Sequence, residues 1–369
     1  MKKIWLAVAA IAIVSCNNEA PVDYAVLSGK ITNTEIKELM LMSADRSVRK
    51  SIKLAEDGTF NDTLRSSAST FTLYEARNST PLHLVKGNNV AVNYDAKDAE
   101  NTLTFTGSGF EASSYLVAKN AKTTELMGVG TELFNKDEAG FKAVMNEVKS
   151  AQIALLESAT GISAEYKANE KKNLEYAYLT NLTTYSNSHG YYAKKKDFIA
   201  SEEFLSELNG VDYNNEADYA SSSDFKQLVS GYYRTKAAKY AAANSIDMSV
   251  AALKVYAGIS SQEIKNDLLK NAGQGIGYSP DVIAFYEAFV AAGSTDEESN
   301  AAVKKSYTSL LHLLPGKPSP KFVGYENNDG SKTSLDDLKG KYVYIDVWAT
   351  WCGPCKYEIP FLQKVEKKY

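Results

Sequence analysis

The chain has 369 residues, of which 44% are hydrophobic and 23% are charged, and its formal net charge is −4. This length and apolar content are enough for two or three domains with buried cores. Because proteins that bind nucleic acid carry clustered positive charge, the mildly acidic balance argues against a nucleic-acid partner.

The N-terminus has the pattern of an export signal. Two lysines precede an apolar run over residues 4–14, and Ser15 then precedes Cys16. This order is typical of a signal peptide, and the run is too short to span a bilayer. The placement of Cys16 resembles a lipoprotein box, which implies that residues 1–16 comprise the signal and a lipidated cysteine. The alternative is an ordinary secretory cut that leaves a spare thiol.

A β-rich region is predicted after a short polar tether at residues 17–23. Over residues 24–109, short runs alternate apolar and polar side chains, as strands with one buried face do; the runs are 26–31, 71–74, 82–85 and 90–94. Asp57-Gly58 is a strong hairpin signal. The sequence therefore predicts a small antiparallel β-sandwich.

Residues 110–316 are predicted to form an all-α domain. Apolar residues recur there at helical spacing, as in Phe141, Val144, Met145 and Val148, in Phe225, Leu228, Val229 and Tyr232, and in Val282, Phe285, Tyr286 and Phe289. Ser260, Ser279 and Thr295 are predicted helix N-caps. The many tyrosines of this region could line a binding groove or pack in the core.

The last region, residues 317–369, carries the cysteines that indicate chemistry. An apolar run at 342–347 predicts a strand buried in a parallel sheet. Cys352 and Cys355 follow, three residues apart at the start of a helix. The helix N-terminus favours a thiolate at Cys352, and Cys355 lies one turn later on the same face. The spacing predicts thiol–disulfide exchange; two buried structural cysteines or half of a zinc site are the alternatives. Because the three histidines are scattered, no metal site is expected.

Trp351-Cys352-Gly353-Pro354-Cys355 resembles the thioredoxin active site. The wider pattern, from the Pro-rich stretch at 316–320 to Glu358-Ile359-Pro360, resembles the TlpA/ResA-like thiol–disulfide oxidoreductases of bacterial envelopes. The strand-rich region at 24–109 resembles the β-rich domain of unknown function often found ahead of such modules. The expected fold class is therefore multidomain α+β, with a thioredoxin-like α/β fold at the C-terminus.

The resemblance implies roles for individual residues. Cys352 would be the nucleophile and Cys355 the resolving thiol, and together they would form a redox-active disulfide. Asp346 would be a buried acid that accepts or relays the proton of Cys355, or else a structural aspartate. Glu358 would be an active-site glutamate or part of a solvated helix face. The remaining residues of the motif would have structural roles: Trp351 flanking the disulfide, Gly353 and Pro354 in the turn, and Pro360 at the helix kink.

The thioredoxin fold needs more chain after this helix, including a strand that begins with a cis-proline. The sequence stops at Tyr369, so the thioredoxin-like domain is expected to be incomplete and the 369-residue chain to be a poor oxidoreductase. No cofactor is expected, because the two thiols carry the electrons themselves.

Two functions are compatible with these observations. The first is a membrane-tethered envelope oxidoreductase that reduces protein disulfides, supplied with electrons by a membrane donor. The second is an envelope binding or assembly lipoprotein in which the two N-terminal domains act. A peroxiredoxin-like activity is a weaker third reading, because the Pro- and Thr-rich loop of that family is absent. The expected location is the periplasmic side of the cell envelope, with the chain anchored by lipid on Cys16 to the inner or outer membrane.

Overall fold

The structure is a computed structural model that describes residues 22–196 and 198–368. The predicted signal peptide, Cys16 and most of the tether lie outside these residues. The described strands and helices divide the chain as the sequence indicates: strands come first, then a long run of helices, then a short mixed segment.

The β-rich region contains eight strands within the described residues, and these form two four-stranded sheets. The strands are β1 (Ala25–Thr32), β2 (Glu38–Ser43), β3 (Arg49–Lys53), β4 (Thr59–Leu64), β5 (Thr70–Glu75), β6 (Asn78–His83), β7 (Asn89–Asp95) and β8 (Thr104–Ser108), with the single-turn helix α1 (Ala99–Thr102) before β8. The strand orders are β4-β1-β7-β8 and β3-β2-β5-β6. Apolar side chains from both sheets, such as Leu27 and Leu73, share one core, so the region is a β-sandwich.

The sandwich is not wholly antiparallel, and that part of the prediction is wrong. β1 pairs in parallel with β7, from Val26 opposite Asn89 to Thr32 opposite Asp95. A parallel pair needs a long crossover connection, and here the connection contains β4 and all four strands of the opposite sheet. Alternation along a strand shows which face is buried but carries no information about the direction of its neighbour.

The turn at Asp57-Gly58 also differs from its prediction. It is tight, since the Ala55 N–H donates to the Thr59 carbonyl at 2.8 Å, but the strands on either side belong to different sheets. β3 pairs with β2, whereas β4 pairs with β1. A Cβ on Gly58 would lie 2.1 Å from the Ile31 carbonyl oxygen, so only glycine fits where the chain crosses between the sheets.

The helical region follows from Glu111 onward. Its helices are α2 (Glu111–Met127), α3 (Glu138–Ser158), α4 (Ala164–Tyr192), α5 (Glu216–Ser221), α6 (Ser223–Asn244), α7 (Met248–Tyr256), α8 (Gln262–Gly273), α9 (Val282–Ala292) and α10 (Glu297–Leu310). All twelve residues of the three predicted apolar stripes belong to or pack against one core. The tyrosines divide: Tyr178 and Tyr185 are buried in this core, and Tyr191 is exposed.

The predicted helix N-caps lie one or two residues too early. The side chain of Ser261 caps α8, that of Asp281 caps α9, and that of Asp296 caps α10. Each accepts a backbone N–H two or three residues later, which is the usual capping contact. Because Ser, Thr and Asp are all common N-caps, the neighbouring Ser260, Ser279 and Thr295 could not be distinguished from the true caps by sequence.

Buried polar contacts join the sandwich to the helices. Ser113 on α2 accepts the His83 N–H of β6 at 2.9 Å, and the ring of Tyr166 on α4 lies edge-on to His83 at 4.6 Å. Next to them, Glu170 is only 5% exposed and pairs with Lys119 at 2.6 Å. These contacts hold β6, α2 and α4 together.

His83 should make the stability of this junction depend on pH. Its Nδ1 is buried without a hydrogen-bond partner in the described chain. Burial lowers the pKa of His83 from its ordinary value of 6.5, against a smaller opposing effect of Glu170. The unfolded chain therefore takes up this proton first, so stability is full above pH 6.5 and falls as the pH drops toward the folded-state pKa.

We expect the urea midpoint to fall as the pH is lowered from 7.5 to 5.5, and His83→Gln to flatten this slope. His312→Asn is the matched control, because His312 is exposed and should leave the slope unchanged. An identical slope in His83→Gln and the unaltered chain would contradict the assignment.

The C-terminal segment contains β9 (Tyr325–Glu326) and β10 (Lys332–Thr333), which pair as a small hairpin, and then α11 (Gly353–Lys368). The strand predicted at 342–347 is wrong: these residues are not in any described sheet, and Val347 is 87% exposed. A strand forms only where a neighbour satisfies its backbone groups, and none of the described residues does so. The described segment is therefore not the partial parallel α/β sheet that was expected.

The described helices include none that is both long enough and apolar enough to cross a bilayer.

Candidate functional site

Cys352 and Cys355 are joined by a disulfide at the start of α11, with their Cα atoms 5.3 Å apart. The Cys352 N–H donates to the Ala349 carbonyl at 3.0 Å, and the Cys352 carbonyl accepts from the Lys356 N–H at 3.1 Å. Cys352 therefore lies at the helix N-cap. The Ala349 contact, which closes the turn before the helix, was not indicated by the sequence.

The helix start acts directly on the Cys352 sulfur. The Cys355 N–H points at Cys352 Sγ at 3.3 Å, which is the contact that a serine Oγ makes in an ordinary N-cap. When the disulfide is reduced, this donor and the positive end of the helix dipole both favour a thiolate at Cys352. Both cysteines are half-buried, so they are open to a second sulfur.

The other predicted site residues close to this pair in the chain are all exposed. Trp351 is 87% exposed beside the disulfide, and Gly353 and Pro354 form the exposed first turn of α11. Pro360 lies inside α11, where it cannot donate a backbone hydrogen bond. Glu358 is exposed on the same helix.

Asp346 is exposed in the described structure, not buried as predicted. The reason is the missing sheet: a carboxyl on residue 346 can be buried only if neighbouring strands and a helix cover its side of the strand. The described residues thus bring Cys352 and Cys355 together and leave Asp346 in solvent.

Comparison with known proteins identifies the segment that carries this disulfide. The family model described as Redoxin matches residues 314–369. The thioredoxin-like protein YneN of Bacillus subtilis (strain 168) is 44% identical over 57 residues, which are 15% of this chain and 33% of that protein.

Two further relatives are named thiol–disulfide oxidoreductase ResA. That of Bacillus anthracis is 44% identical over 54 residues, and that of Bacillus subtilis (strain 168) is 43% identical over 57; each match covers 15% of this chain and 31% of the relative. The chain thus spans about a third of the length of these relatives. No solved structure matches the chain.

These matches confirm the family resemblance predicted from Trp351-Cys352-Gly353-Pro354-Cys355. They also point, at the level of the family, to thiol–disulfide oxidoreductase chemistry. The C-terminal segment of this chain, residues 314–369, thus matches the Redoxin family and is similar to thioredoxin-like proteins.

Proposed function

We propose that this chain is part of an envelope thiol–disulfide oxidoreductase that reduces protein disulfides through Cys352 and Cys355 and is tethered to a membrane by lipid on Cys16. The observation that carries the proposal is the Cys352–Cys355 disulfide at the N-terminus of α11, in a segment similar to proteins named ResA. The proposed domains are residues 24–109, 110–316 and 317–369, following the tether at 17–23.

The reaction uses the dithiol form of the pair. The Cys352 thiolate attacks one sulfur of a client disulfide, forms a mixed disulfide and releases the first client thiolate, which takes up a proton. Cys355, once deprotonated, attacks Cys352 Sγ and releases the second client thiol. Two electrons pass to the client, and the Cys352–Cys355 disulfide remains. A membrane dithiol donor would return the two electrons.

Asp346 and Glu358 are the proposed proton carriers for Cys355, because carboxylates are suited to accept a proton from a thiol. Both are exposed here, so each carboxyl can exchange its proton with water. Trp351 would limit access to the disulfide, and Pro360 would set the local bend of α11.

Alkylation of the reduced thiols tests the proposal. We expect Cys352 to react with iodoacetamide at a lower pH in the native chain than in the same chain unfolded in urea, because only the folded helix start favours its thiolate. Mass spectrometry would follow each cysteine separately. A Cys352 that reacts alike in both states, or that never re-forms its bond to Cys355, would contradict the oxidoreductase assignment.

A Cys352 that never re-forms its bond to Cys355 would support a different function, namely an envelope binding or assembly lipoprotein. One observation favours it: the two large cores belong to the sandwich and the helices, and neither contains a predicted redox residue. In that case the helical and β-rich regions would carry out the binding or assembly, and the C-terminal segment would be accessory.

The tether has its own test. We expect Cys16→Ser to move the protein from the membrane fraction to the soluble fraction after cell breakage, since the acyl chains on Cys16 would be its anchor. Cys352→Ser is the matched control, because it also removes a thiol and should remain in the membrane fraction. Unchanged fractionation of Cys16→Ser would refute the anchor.

A further inference from the structure

Helix α9 exposes apolar side chains on its outer face and buries others on its inner face. Its inner face is buried in the helical core through Val282, Phe285 and Phe289. Its outer face carries Ile283, which is 42% exposed, and Val290, which is 58% exposed. Glu287 lies between these two residues on the same face, so the outer face of α9 combines exposed apolar side chains with one charge, as protein interfaces commonly do.

A groove runs beside this face between α7 and α9, and Tyr240 of α6 also lines it. It encloses a volume of about 390 Å³, and much of its lining consists of Ala257, Ala284, Ala288 and Ala291. Because alanine has only a methyl side chain, it lets another backbone approach closely, and packed helices lie about 8–10 Å apart. The groove therefore offers a surface of small side chains against which a helix can pack closely.

Opposite charges line the two walls of the groove. Lys254 lies on α7 and Glu287 on α9, and both side chains are exposed. Across residues 22–196 and 198–368, neither forms an ion pair or a side-chain hydrogen bond. The groove thus presents one free cation and one free anion, on different helices.

We propose that the α7–α9 face is the interface of a symmetric dimer, with a second copy of this chain as its occupant. In a two-fold interface, residue i of one copy contacts residue j of the other and the reverse contact also forms. A two-fold axis through the groove would pair Lys254 of each copy with Glu287 of the other. It would also cover the outer face of α9, including Ile283 and Val290, with the same face of the second copy.

A charge-swap series measured by sedimentation velocity, with the full chain in mild detergent, tests the dimer. We expect the unaltered chain to dimerise and Lys254→Glu or Glu287→Lys alone to weaken the dimer about tenfold, because each places two like-charge pairs in the interface. The double variant should recover the original dissociation constant. Mixing the two single variants should give heterodimers, because both ion pairs then form between unlike copies.

Lys305→Glu on α10 is the control for the change in net charge, since Lys305 does not line the groove, and it should dimerise like the unaltered chain. Val290→Asp should give monomers at every concentration tested, with an unchanged circular dichroism spectrum. A monomeric unaltered chain would overturn the proposal, and so would a dimer that the single charge swaps leave intact. Swaps that weaken the dimer without rescue in the double variant or the mixture would also overturn it.

Discussion

Cys355→Ser should trap Cys352 in a mixed disulfide with a client protein, whereas Cys352→Ser should not. Cys352 carries the hydrogen bond from the helix N-terminus and is the thiol whose ionised form is favoured. Without Cys355, the mixed disulfide has no resolving thiolate within reach. After reduction and addition of insulin, non-reducing mass spectrometry should show about tenfold more adduct for Cys355→Ser than for Cys352→Ser.

Both variants are best compared in a Cys16→Ser background, so that the third cysteine of the chain cannot contribute. The Cys352→Ser/Cys355→Ser double variant gives the background level of adduct. Equal trapping by the two single variants would mean that the helix N-terminus does not select the attacking sulfur. The assigned order of nucleophile and resolving thiol would then be wrong.

Glu170→Ala should cost about 3–5 kcal/mol of the free energy of unfolding, because breaking a buried ion pair leaves Lys119 without the carboxylate that it contacts directly. The Glu170 carboxylate accepts from Lys119 Nζ at 2.6 Å and from the Tyr115 hydroxyl at 3.2 Å. The side chain of Lys119 is itself only 20% exposed, so it cannot recover full hydration. Urea denaturation at pH 7.5 would measure the loss.

Glu125→Ala provides the matched control on α2, the same helix that carries Lys119. Glu125 pairs with Lys122 at 2.6 Å, and its side chain is 62% exposed. A surface pair of this kind contributes about 0–1 kcal/mol, so the urea midpoint should hardly move. Similar losses in Glu125→Ala and Glu170→Ala would show that burial does not set the strength of the Glu170 contacts.

The helical stripes show how far periodicity alone can predict a fold. Phe225, Leu228 and Val229 are buried as expected, because a spacing of three and four residues places side chains on one face of a helix whatever that face meets. The helix N-caps were less predictable. Asp296 caps α10 next to the predicted Thr295, and both residue types can accept the same hydrogen bond.

The candidate site also has one part that the sequence predicts and one part that it does not. Cys352 and Cys355 could be recognised because their geometry is set within a single helical turn. The burial of Asp346 could not be predicted in this way, because it depends on strands that must pair beside residues 342–347. In the described structure that stretch is unpaired and exposed.

The amino-acid sequence by itself determined the order of a strand-rich part, a helical part and a cysteine-bearing helix, together with the core face of each helix that was predicted. These features depend on spacing and on contacts between residues close in the chain. Tertiary structure alone decided the parallel pairing of β1 with β7, the burial of Glu170 against a lysine 51 residues away, and the groove between α7 and α9. Each of these depends on which surfaces meet, and hydrophobic burial is non-directional, so a local pattern does not specify its partner.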